Sequence, residues 1–413
     1  MIMYIIRKIV YGLLVLWGVV TLVYFLFNLA PGDPVRNLVG ENASEEVIAN
    51  MRRKFDLDLS VGHRYVLYLN DLSPLGIHSN LEQSRIYFNP SEYSGIRIAL
   101  GGEGKAVYLK SPYLKRSFLT DKSVSSILAE VLPGTVVLAV VSIGLALIIG
   151  LLLGIAAALK KDGFYDRLIL FISALGMAGP SFFVAILVAW LGAVLWREHI
   201  VVSYGALIIV GAVLIAVILF QRTKRGFVWM IPVFAIVLFF ANVFAMQEEA
   251  LVLPGTGLNM TGSLYSVDVW RGEFLDLRNL ILPVITLMIR PLSVIVQLTR
   301  SSLLDVMQQD YIRTARAKGL SEWEVVFRHA LRNALNPVIT AVSGWFASLL
   351  AGAIFVEFVF GWKGLGQQMF TAIENQDMPV VMGGVIVISA AFVLINMLVD
   401  LLYAWIDPRV RLS

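Results

Sequence analysis

The amino-acid sequence predicts an all-α membrane protein with about eight transmembrane helices and a mixed α/β extramembrane region after the first helix. Three observations support this prediction: 58% of the 413 residues are hydrophobic, only 15% are charged, and the apolar residues form separate long runs. A soluble globular domain has about 25% charged residues. Because this chain has too few polar residues to cover a soluble surface, burial of helices in a bilayer explains its composition.

Net charge and cysteine content narrow the functional classes further. The formal net charge is +4 and the pI is about 9.1. Lys and Arg cluster beside the apolar runs, so the positive-inside rule explains them better than nucleic-acid binding does. The chain has no Cys, which excludes disulfides, thiolate metal sites and a cysteine nucleophile. We therefore expect no nucleic-acid partner, no metal and no cofactor.

Eight apolar runs are long enough to cross a bilayer of about 30 Å. They cover roughly residues 9–30, 124–159, 168–196, 203–220, 227–246, 279–300, 337–360 and 381–405. The second and third runs are too long for one straight crossing, so we expect them to tilt or to extend beyond the bilayer. The first run follows Arg7 and Lys8 and exceeds the apolar core of about 7–15 residues in a secretory signal, which predicts a retained first helix.

The basic residues orient these spans. A large basic block from Arg300 to Arg332 falls on the side that an inside N-terminus places in the cytoplasm. The short outer links at 197–202 and 361–380 carry only Arg197 and Lys363. This bias predicts a multi-pass protein of the cell (inner) membrane with both termini in the cytoplasm. The long outer segment 31–123 contains many basic residues, but long translocated segments escape the rule.

The segment 31–123 is the largest predicted extramembrane region. Pro31-Gly32-Asp33-Pro34 should end the first helix. Residues 44–58 have the pattern of a short amphipathic helix with Ser44 as its N-cap. Residues 94–110 contain two alternating stretches around Gly101-Gly102, which predict a small β-hairpin.

The cytoplasmic segment 301–336 is polar, charged and helical in pattern, and Gly319 interrupts it once. Asn336-Pro337 then begins the next span. Loops longer than about 12–15 residues are usually functional when they are organised. A helix, a glycine turn and a short helix between two spans therefore predict a docking element, while the alternative is a solvated connection.

A family resemblance sharpens this interpretation. The stretch DYIRTARAKGLSEWEVVFRHALRNALNPVIT at 310–340 resembles the signature loop of ABC importer permeases of the oligopeptide/dipeptide/nickel family, first-subunit ("B") type. NLAPGDPVRNLVG at 28–40, GPSFF at 179–183 and GAIFVEFVFGWKGLGQQ at 352–368 resemble other parts of that family. The similar stretches follow the family's order along about three quarters of the chain.

Two stretches depart from the family pattern. Roughly 77–110 looks inserted in the first outer region, and roughly 200–247 looks inserted after the third span. The second insertion adds two apolar runs, which we interpret as two further spans; a re-entrant or interfacial hairpin is the alternative. Lys363 stands where the family usually has Pro, which leaves the shape of that outer loop open.

The resemblance implies a type I ABC importer transmembrane domain. It divides the chain into a first transmembrane helix at 1–30, an extracytoplasmic region at 31–123, a permease domain at 124–405 and a cytoplasmic tail at 406–413. The implied function is half of the translocation pathway of an ATP-driven importer of di- or oligopeptides, with oligosaccharides or nickel chelates as alternative cargo. The implied partners are a second permease subunit in a heterodimer, two ATP-binding subunits, an extracytoplasmic substrate-binding protein and membrane lipid.

The ATPase chemistry should lie in a partner, because no P-loop of the form GxxxxGK[ST] occurs in the chain. The protein itself is therefore expected to be a transporter subunit and not an enzyme. The resemblance places the ATPase contact in the loop 310–332, at Arg313, Thr314, Ala315, Ala317, Lys318, Gly319, Glu322 and Trp323. Gly319 permits a tight turn, and the two alanines are small enough for close packing. Trp323 could instead anchor the chain at the membrane interface.

Three ionisable residues fall inside or near the ends of spans, namely Arg290, Glu357 and Asp400. Such groups are costly in a membrane and usually face the bundle interior. They are candidates for the translocation path, while Glu357 and Asp400 could instead form interhelical contacts. Gly150 and Gly154, four residues apart in an apolar run, predict close helix packing.

Two other functional classes remain to be weighed. A stand-alone secondary transporter would explain the spans but not the organised cytoplasmic segment. An intramembrane enzyme has few candidate residues, because the chain has only four His, no Cys and neither an HExxH nor a GxSxG motif. Cargo identity cannot be read from the spans, since periodicity does not separate cavity-lining from lipid-facing positions in such apolar helices.

Overall fold

The structure is a computed structural model that describes residues 2–29, 35–36, 43–100, 104–203, 250–270, 272–350 and 353–406. In chain order its helices are α1 (Ile2–Leu29), α2 (Glu45–Lys54), α3 (Val61–Leu72), α4 (Val124–Leu159), α5 (Phe164–Ala178), α6 (Ser181–Ala189), α7 (Arg278–Met307), α8 (Asp310–Ala317), α9 (Glu322–Glu324), α10 (Leu331–Ala334), α11 (Asn336–Leu350), α12 (Ile354–Val359), α13 (Leu365–Glu374) and α14 (Met378–Ile406). π-Helical turns at Trp190–Leu195 and Val325–Ala330 continue α6 and α9. The strands are β1 (Leu75–Ser79), β2 (Gly95–Leu100), β3 (Lys105–Lys110), β4 (His199–Ser203), β5 (Ala250–Pro254), β6 (Tyr265–Asp268) and β7 (Gly272–Leu275).

Four of the described helices, α1, α4, α7 and α14, are long and apolar enough to cross a membrane. A fifth candidate differs from the prediction of one tilted span at 168–196. It breaks into α5 and α6 with a bend of 106°. The break falls at Gly179-Pro180, where proline supplies no N–H to continue the helix.

The seventh predicted run, 337–360, corresponds to α11 and α12, of which α11 is a shorter apolar helix. The predicted runs 203–220 and 227–246 lie outside the described residues. Their flanks are described, and there β4 pairs antiparallel with β5, from His199 opposite Pro254 to Ser203 opposite Ala250. The residues on either side of these two runs therefore lie next to each other. This is compatible both with two further spans and with a re-entrant or interfacial hairpin.

The region that follows α1 is mixed α/β, as predicted. α2 begins after Ser44, whose hydroxyl accepts a hydrogen bond from the N–H of Val47, so the predicted helix and cap are confirmed. β2 and β3 form the predicted antiparallel hairpin. β1 pairs with the other edge of β3 and completes a three-stranded sheet in the order β1-β3-β2, which the sequence analysis did not predict.

Close packing joins α4 to α7 through the two predicted glycines. A Cβ on Gly150 would lie 2.7 Å from Ile295, and a Cβ on Gly154 would lie 2.6 Å from Thr299. Real Cβ atoms essentially never approach that closely, so only glycine permits this spacing. The prediction of close helix packing at both positions is confirmed, and it brings the C-terminal halves of α4 and α7 together.

Candidate functional site

The segment between α7 and α11 is the best-defined candidate site. We call residues 310–330 the coupling unit: α8, the turn at Gly319, α9 and its π-helical continuation. α8 ends where the N–H of Lys318 donates to the carbonyl of Thr314 and the N–H of Gly319 donates to the carbonyl of Arg316. Gly319 has a φ of +81°, and apart from its chain neighbours no described residue comes within 4 Å of the place where its Cβ would be. The backbone conformation, not crowding within the chain, therefore favours glycine here.

A capping box begins the second helix of the coupling unit. The N–H of Glu324 donates to the Ser321 hydroxyl at 3.3 Å, and the N–H of Ser321 donates back to the Glu324 carboxylate at 3.0 Å. Hydrogen bonds from the Ser321 hydroxyl and N–H hold the pKa of Glu324 below its ordinary value. The S-x-x-E pattern of Ser-Glu-Trp-Glu is a known signature of a helix start, and the sequence analysis missed it.

One face of the coupling unit is buried against the chain's own helices. Ile312, Ala315 and Val325 form one cluster with Leu303 of α7 and Ile155 of α4. Ala315 is buried in this cluster and supports the coupling unit from inside. This cluster ties the coupling unit to the tightly packed α4–α7 pair, so movements of these parts should be linked.

The opposite face is exposed and carries the remaining predicted contact residues. Arg313, Thr314, Ala317, Lys318, Gly319, Glu322 and Trp323 are all exposed. The side chain of Trp323 is 68% exposed and stacks on Phe327, with ring centroids 5.0 Å apart. Glu322 is held by Arg316 of α8 at 2.9 Å, which links the two helices of the unit. The structure thus brings these residues together on one surface.

An ion pair that local sequence patterns do not reveal joins the first turn of α5 to α7. Asp166 in the first turn of α5 is only 1% exposed. The Arg300 guanidinium on α7 donates to both of its carboxylate oxygens at 2.6 Å. The N–H of Asp162 donates to the same carboxylate at 2.8 Å. Bidentate geometry of this kind fixes orientation as well as distance.

Glu357 lies in a closed polar cage and is fully buried. The Thr135 hydroxyl of α4 donates to one of its carboxylate oxygens at 2.8 Å, and the N–H of Gln367 donates to the other at 2.9 Å. The Thr135 oxygen in turn accepts from the N–H of Leu365 at 2.7 Å. Glu357 therefore joins α4, α12 and α13, which favours the interhelical-contact interpretation of this residue.

The loop that encloses Glu357 contains the position where the family pattern has Pro. Gly361 has a φ of +58°, and Trp362 is fully buried. A Cβ on Gly134 of α4 would lie 2.5 Å from the carbonyl oxygen of Lys363. The loop therefore packs directly against α4, and the backbone carbonyl of Lys363 makes that contact.

The other two ionisable positions differ in their surroundings. Asp400 of α14 pairs with Lys8 of α1 at 2.7 Å, so it joins the first and last spans. Arg290 of α7 is exposed on the chain, with its guanidinium 5.8 Å from the centroid of the Trp345 ring on α11. No ion pair to Arg290 occurs within the part of the chain that the structure describes. Of the three ionisable residues, Arg290 is exposed, Asp400 is half-buried and Glu357 is buried.

Arg290 belongs to a polar stripe that periodicity alone did not separate from lipid-facing positions. Gln297 and Ser301 follow it at helical spacing on α7. On α11, Gly344 and Ser348 form a second exposed stripe of small residues. Exposed polar positions within apolar spans are costly against lipid, which indicates that they face water or another protein.

Comparison with known proteins identifies related sequences along the whole chain. Residues 226–412 match the family of binding-protein-dependent transport system inner membrane components, and residues 1–84 match the N-terminal region of such components. The dipeptide transport system permease protein DppB of Alkalihalophilus pseudofirmus is 29% identical over 100% of both chains. The di/tripeptide transport system permease protein DppB of Pseudomonas aeruginosa is 31% identical over 97% of this chain and 96% of that protein.

Proposed function

Since the chain belongs to the family of binding-protein-dependent transport system inner membrane components, we propose that it forms half of the translocation pathway of an ATP-driven peptide importer. As an ABC permease subunit it does not itself hydrolyse ATP. It moves cargo through the membrane when a partner ATPase changes conformation. The coupling unit receives that movement.

The exposed surface of the coupling unit is the observation that carries this proposal. Trp323 and Phe327 present a stacked aromatic pair to the outside, on a base that is packed against α4 and α7. Large aromatics dominate the energetics of many protein interfaces. Arg313 and Lys318 stand on the same exposed side, where acidic or carbonyl groups at the rim of a partner groove can pair with them.

The polar stripe on α7 and the stripe of small residues on α11 support a pathway at the interface with a second permease subunit. Arg290, Gln297 and Ser301 on α7 lie on one side of a helix that otherwise packs against α4 and α5. A second permease of the same kind, in a heterodimer, would bury the apolar part of the exposed surface of α7 and α11 and leave its polar part in contact with water. Glu357 and Asp400 then hold helices together beside the path.

The proposed cargo is a di- or oligopeptide. The two relatives carry the names of dipeptide and di/tripeptide permeases, and a guanidinium in the pathway suits a cargo that bears a carboxylate. Neutral oligosaccharides lack that group. Oligosaccharide and nickel-chelate import by the same type of complex remain the alternative proposals.

The proposed complex contains two ATP-binding subunits at the coupling units and a substrate-binding protein outside. This arrangement places both termini in the cytoplasm and residues 31–123 on the outer side, within reach of the binding protein. In this proposal the chain is divided into a first transmembrane helix at 1–30, a permease domain at 124–405 and a cytoplasmic tail at 406–413.

Co-purification tests the proposal. The chain is purified from its native membrane in mild detergent, and bound proteins are identified by mass spectrometry. We expect a second permease and P-loop ATPases to remain bound to the unaltered chain. Trp323→Ala combined with Phe327→Ala should reduce ATPase retention at least tenfold, since interface aromatics often contribute about 2 kcal/mol or more and about 1.4 kcal/mol is a factor of ten.

Trp270→Ala is the matched control. Trp270 is 93% exposed and belongs to the turn between β6 and β7 on the side proposed to face outward, so its loss should leave ATPase retention unchanged. If the unaltered chain elutes alone or as a homo-oligomer, without an ATPase at any detergent strength, the coupling argument fails. A stand-alone secondary transporter would then be the better interpretation.

A further inference from the structure

A cleft lies beside the end of α1 and away from the polar stripe of α7 and the stripe of small residues on α11. Its volume is about 920 Å³. Its walls come from α1, α2, α3, the segment that follows β3 and the start of α14. None of the residues that line it belongs to α7 or α11. The cleft is therefore separate from the proposed translocation path and from the coupling unit.

The level of the cleft relative to the bilayer follows from α1. The apolar part of this helix ends at Asn28, and Asn28 and Tyr24 both line the cleft. Tyr24 stacks on Tyr68 of α3 with ring centroids 5.7 Å apart, and it also contacts Tyr65. Tyrosines concentrate where a span meets the headgroup layer. The base of the cleft therefore lies at the level of lipid headgroups.

Most charged side chains around the cleft already have partners. Arg85 pairs with Asp58, and Lys115 lies 3.4 Å from Asp56. These pairs are at the end of the cleft that is formed by the loop after α2. They leave little net charge to attract a ligand there.

Arg64 and Tyr68 of α3 are different. They lie four residues apart on one face of the helix, and both line the cleft. Tyr68 is 5% exposed, yet its hydroxyl makes no hydrogen bond to any described residue. The Nε of Arg64 is also buried, with no hydrogen-bond partner among those residues. Unpaired buried donors cost about 1–3 kcal/mol each, so this pair is suited to an acceptor that enters the cleft.

The surface next to this pair is apolar. Phe27 of α1 and Met378 and Met382 of α14 line the same cleft. A ligand that meets Arg64 and Tyr68 thus has an anionic or strongly accepting group at one end and hydrocarbon at the other. That combination is the chemistry of an anionic phospholipid at the surface of the bilayer.

We propose that this cleft binds the headgroup of an anionic phospholipid, with Arg64 and Tyr68 donating hydrogen bonds to its phosphate and Phe27 and Met382 contacting its glycerol and upper acyl region. The site rests on α1 being a span and does not depend on the cargo. Bound lipid would join α3 to the ends of α1 and α14. It would thereby fix the extramembrane region onto the membrane domain.

Lipid retention tests the site. The full chain, together with any subunits that co-purify with it, is depleted of lipid in detergent and exposed to equal amounts of phosphatidylglycerol and phosphatidylcholine. Native mass spectrometry then counts the lipids that remain bound. We expect phosphatidylglycerol to be preferred. Arg64→Gln should weaken its binding about tenfold or more, because hydrogen bonds to charged groups contribute about 1.5–3 kcal/mol and 1.4 kcal/mol is a factor of ten.

Matched variants separate the site from general effects. Arg97→Gln removes the same charge from an exposed position on β2 and should leave retention unchanged. Tyr68→Phe keeps the ring and removes only the unpaired hydroxyl, so it should weaken retention severalfold without disturbing the fold. Thermal unfolding of each complex checks that the variants remain folded.

Three outcomes would overturn the proposal. In the first, Arg64→Gln and Arg97→Gln retain phosphatidylglycerol equally well. In the second, millimolar inorganic phosphate displaces the lipid completely, which would show a site for free phosphate. In the third, Arg64→Gln leaves lipid retention unchanged but weakens attachment of the substrate-binding protein, which would show a protein-docking surface. Failure of the ATPase co-purification would reject the proposed function and leave this lipid result independent.

Discussion

Replacing Glu357 by Gln should destabilise the junction of α4, α12 and α13. Both carboxylate oxygens accept a hydrogen bond, one from the Thr135 hydroxyl and one from the N–H of Gln367. A carboxylate accepts at both oxygens, whereas an amide accepts at one and donates at the other. Whichever way the amide of Gln is turned, one of these two donors loses its acceptor.

The size of the effect follows from this geometry. A hydrogen bond to a charged group contributes about 1.5–3 kcal/mol, and an unsatisfied buried donor costs a similar amount. The Thr135 hydroxyl can rotate and so reduce the cost of losing its acceptor. We therefore expect Glu357→Gln to lower the free energy of unfolding by about 2 kcal/mol, near the lower end of this range. Gly364→Ala should cost more than Glu357→Gln, since its Cβ would lie 2.5 Å from the Glu357 carboxyl group and moving that group away would break both of its hydrogen bonds.

Thermal unfolding of the purified complex, followed by transport in vesicles, measures both effects. Glu374→Gln is the matched control, because Glu374 is an exposed acid at the end of α13 and its change should shift stability by less than about 0.5 kcal/mol. If Glu357→Gln proves as stable as this control, one carboxyl oxygen carries a proton in the native protein. The reasoning from two accepting oxygens would then be wrong.

Three further predictions concern other parts of the chain. Asp166→Asn should destabilise the protein by about 3 kcal/mol, because it leaves the half-buried Arg300 guanidinium without its charge partner; thermal unfolding equal to that of the unaltered protein would contradict this. Gly319→Ala should cost only about 1–2 kcal/mol of backbone strain in the isolated chain, so a much larger loss of ATPase retention would reveal close packing against the partner, and no loss would argue against it. Burial raises the pKa of Asp71, so the folded state keeps a proton that the unfolded state releases: the contribution of Asp71 to stability is present at pH below about 3.9 and is lost as pH rises through the raised pKa. Asp71→Asn should therefore flatten the decline of thermal stability that sets in above about pH 3.9, and an unchanged slope would refute that assignment.

Much of the architecture could be predicted from local patterns. The long apolar runs of α1, α4, α7 and α14, the cap at Ser44 and the hairpin of β2 and β3 each depend on residues within a few positions of one another. The helix break at Gly319 also depends only on residues within a few positions of one another. Helix and strand periods, caps and turns are set by hydrogen bonds and side-chain contacts between near neighbours, so composition and spacing are sufficient to find them.

The bend of 106° between α5 and α6 marks the limit of this reasoning. Gly179-Pro180 was visible in the sequence, but the run on either side is apolar throughout, and hydropathy does not distinguish a tilted helix from a broken one. The backbone direction after a proline depends on what the following helix packs against.

The partners of the ionisable residues were decided by tertiary structure alone. Arg300 meets Asp166 across 134 positions of the chain, and Glu357 meets Thr135 across 222. Ala315 turned inward although its neighbours face outward. The sequence by itself determined that charged groups lie near the ends of apolar helices, because the apolar runs and the charged residues beside them can be read directly from the order of residues. Which of them pair and which remain open to a ligand depends on how those helices are arranged in space, because an ion pair forms only where two side chains are brought within about 4 Å.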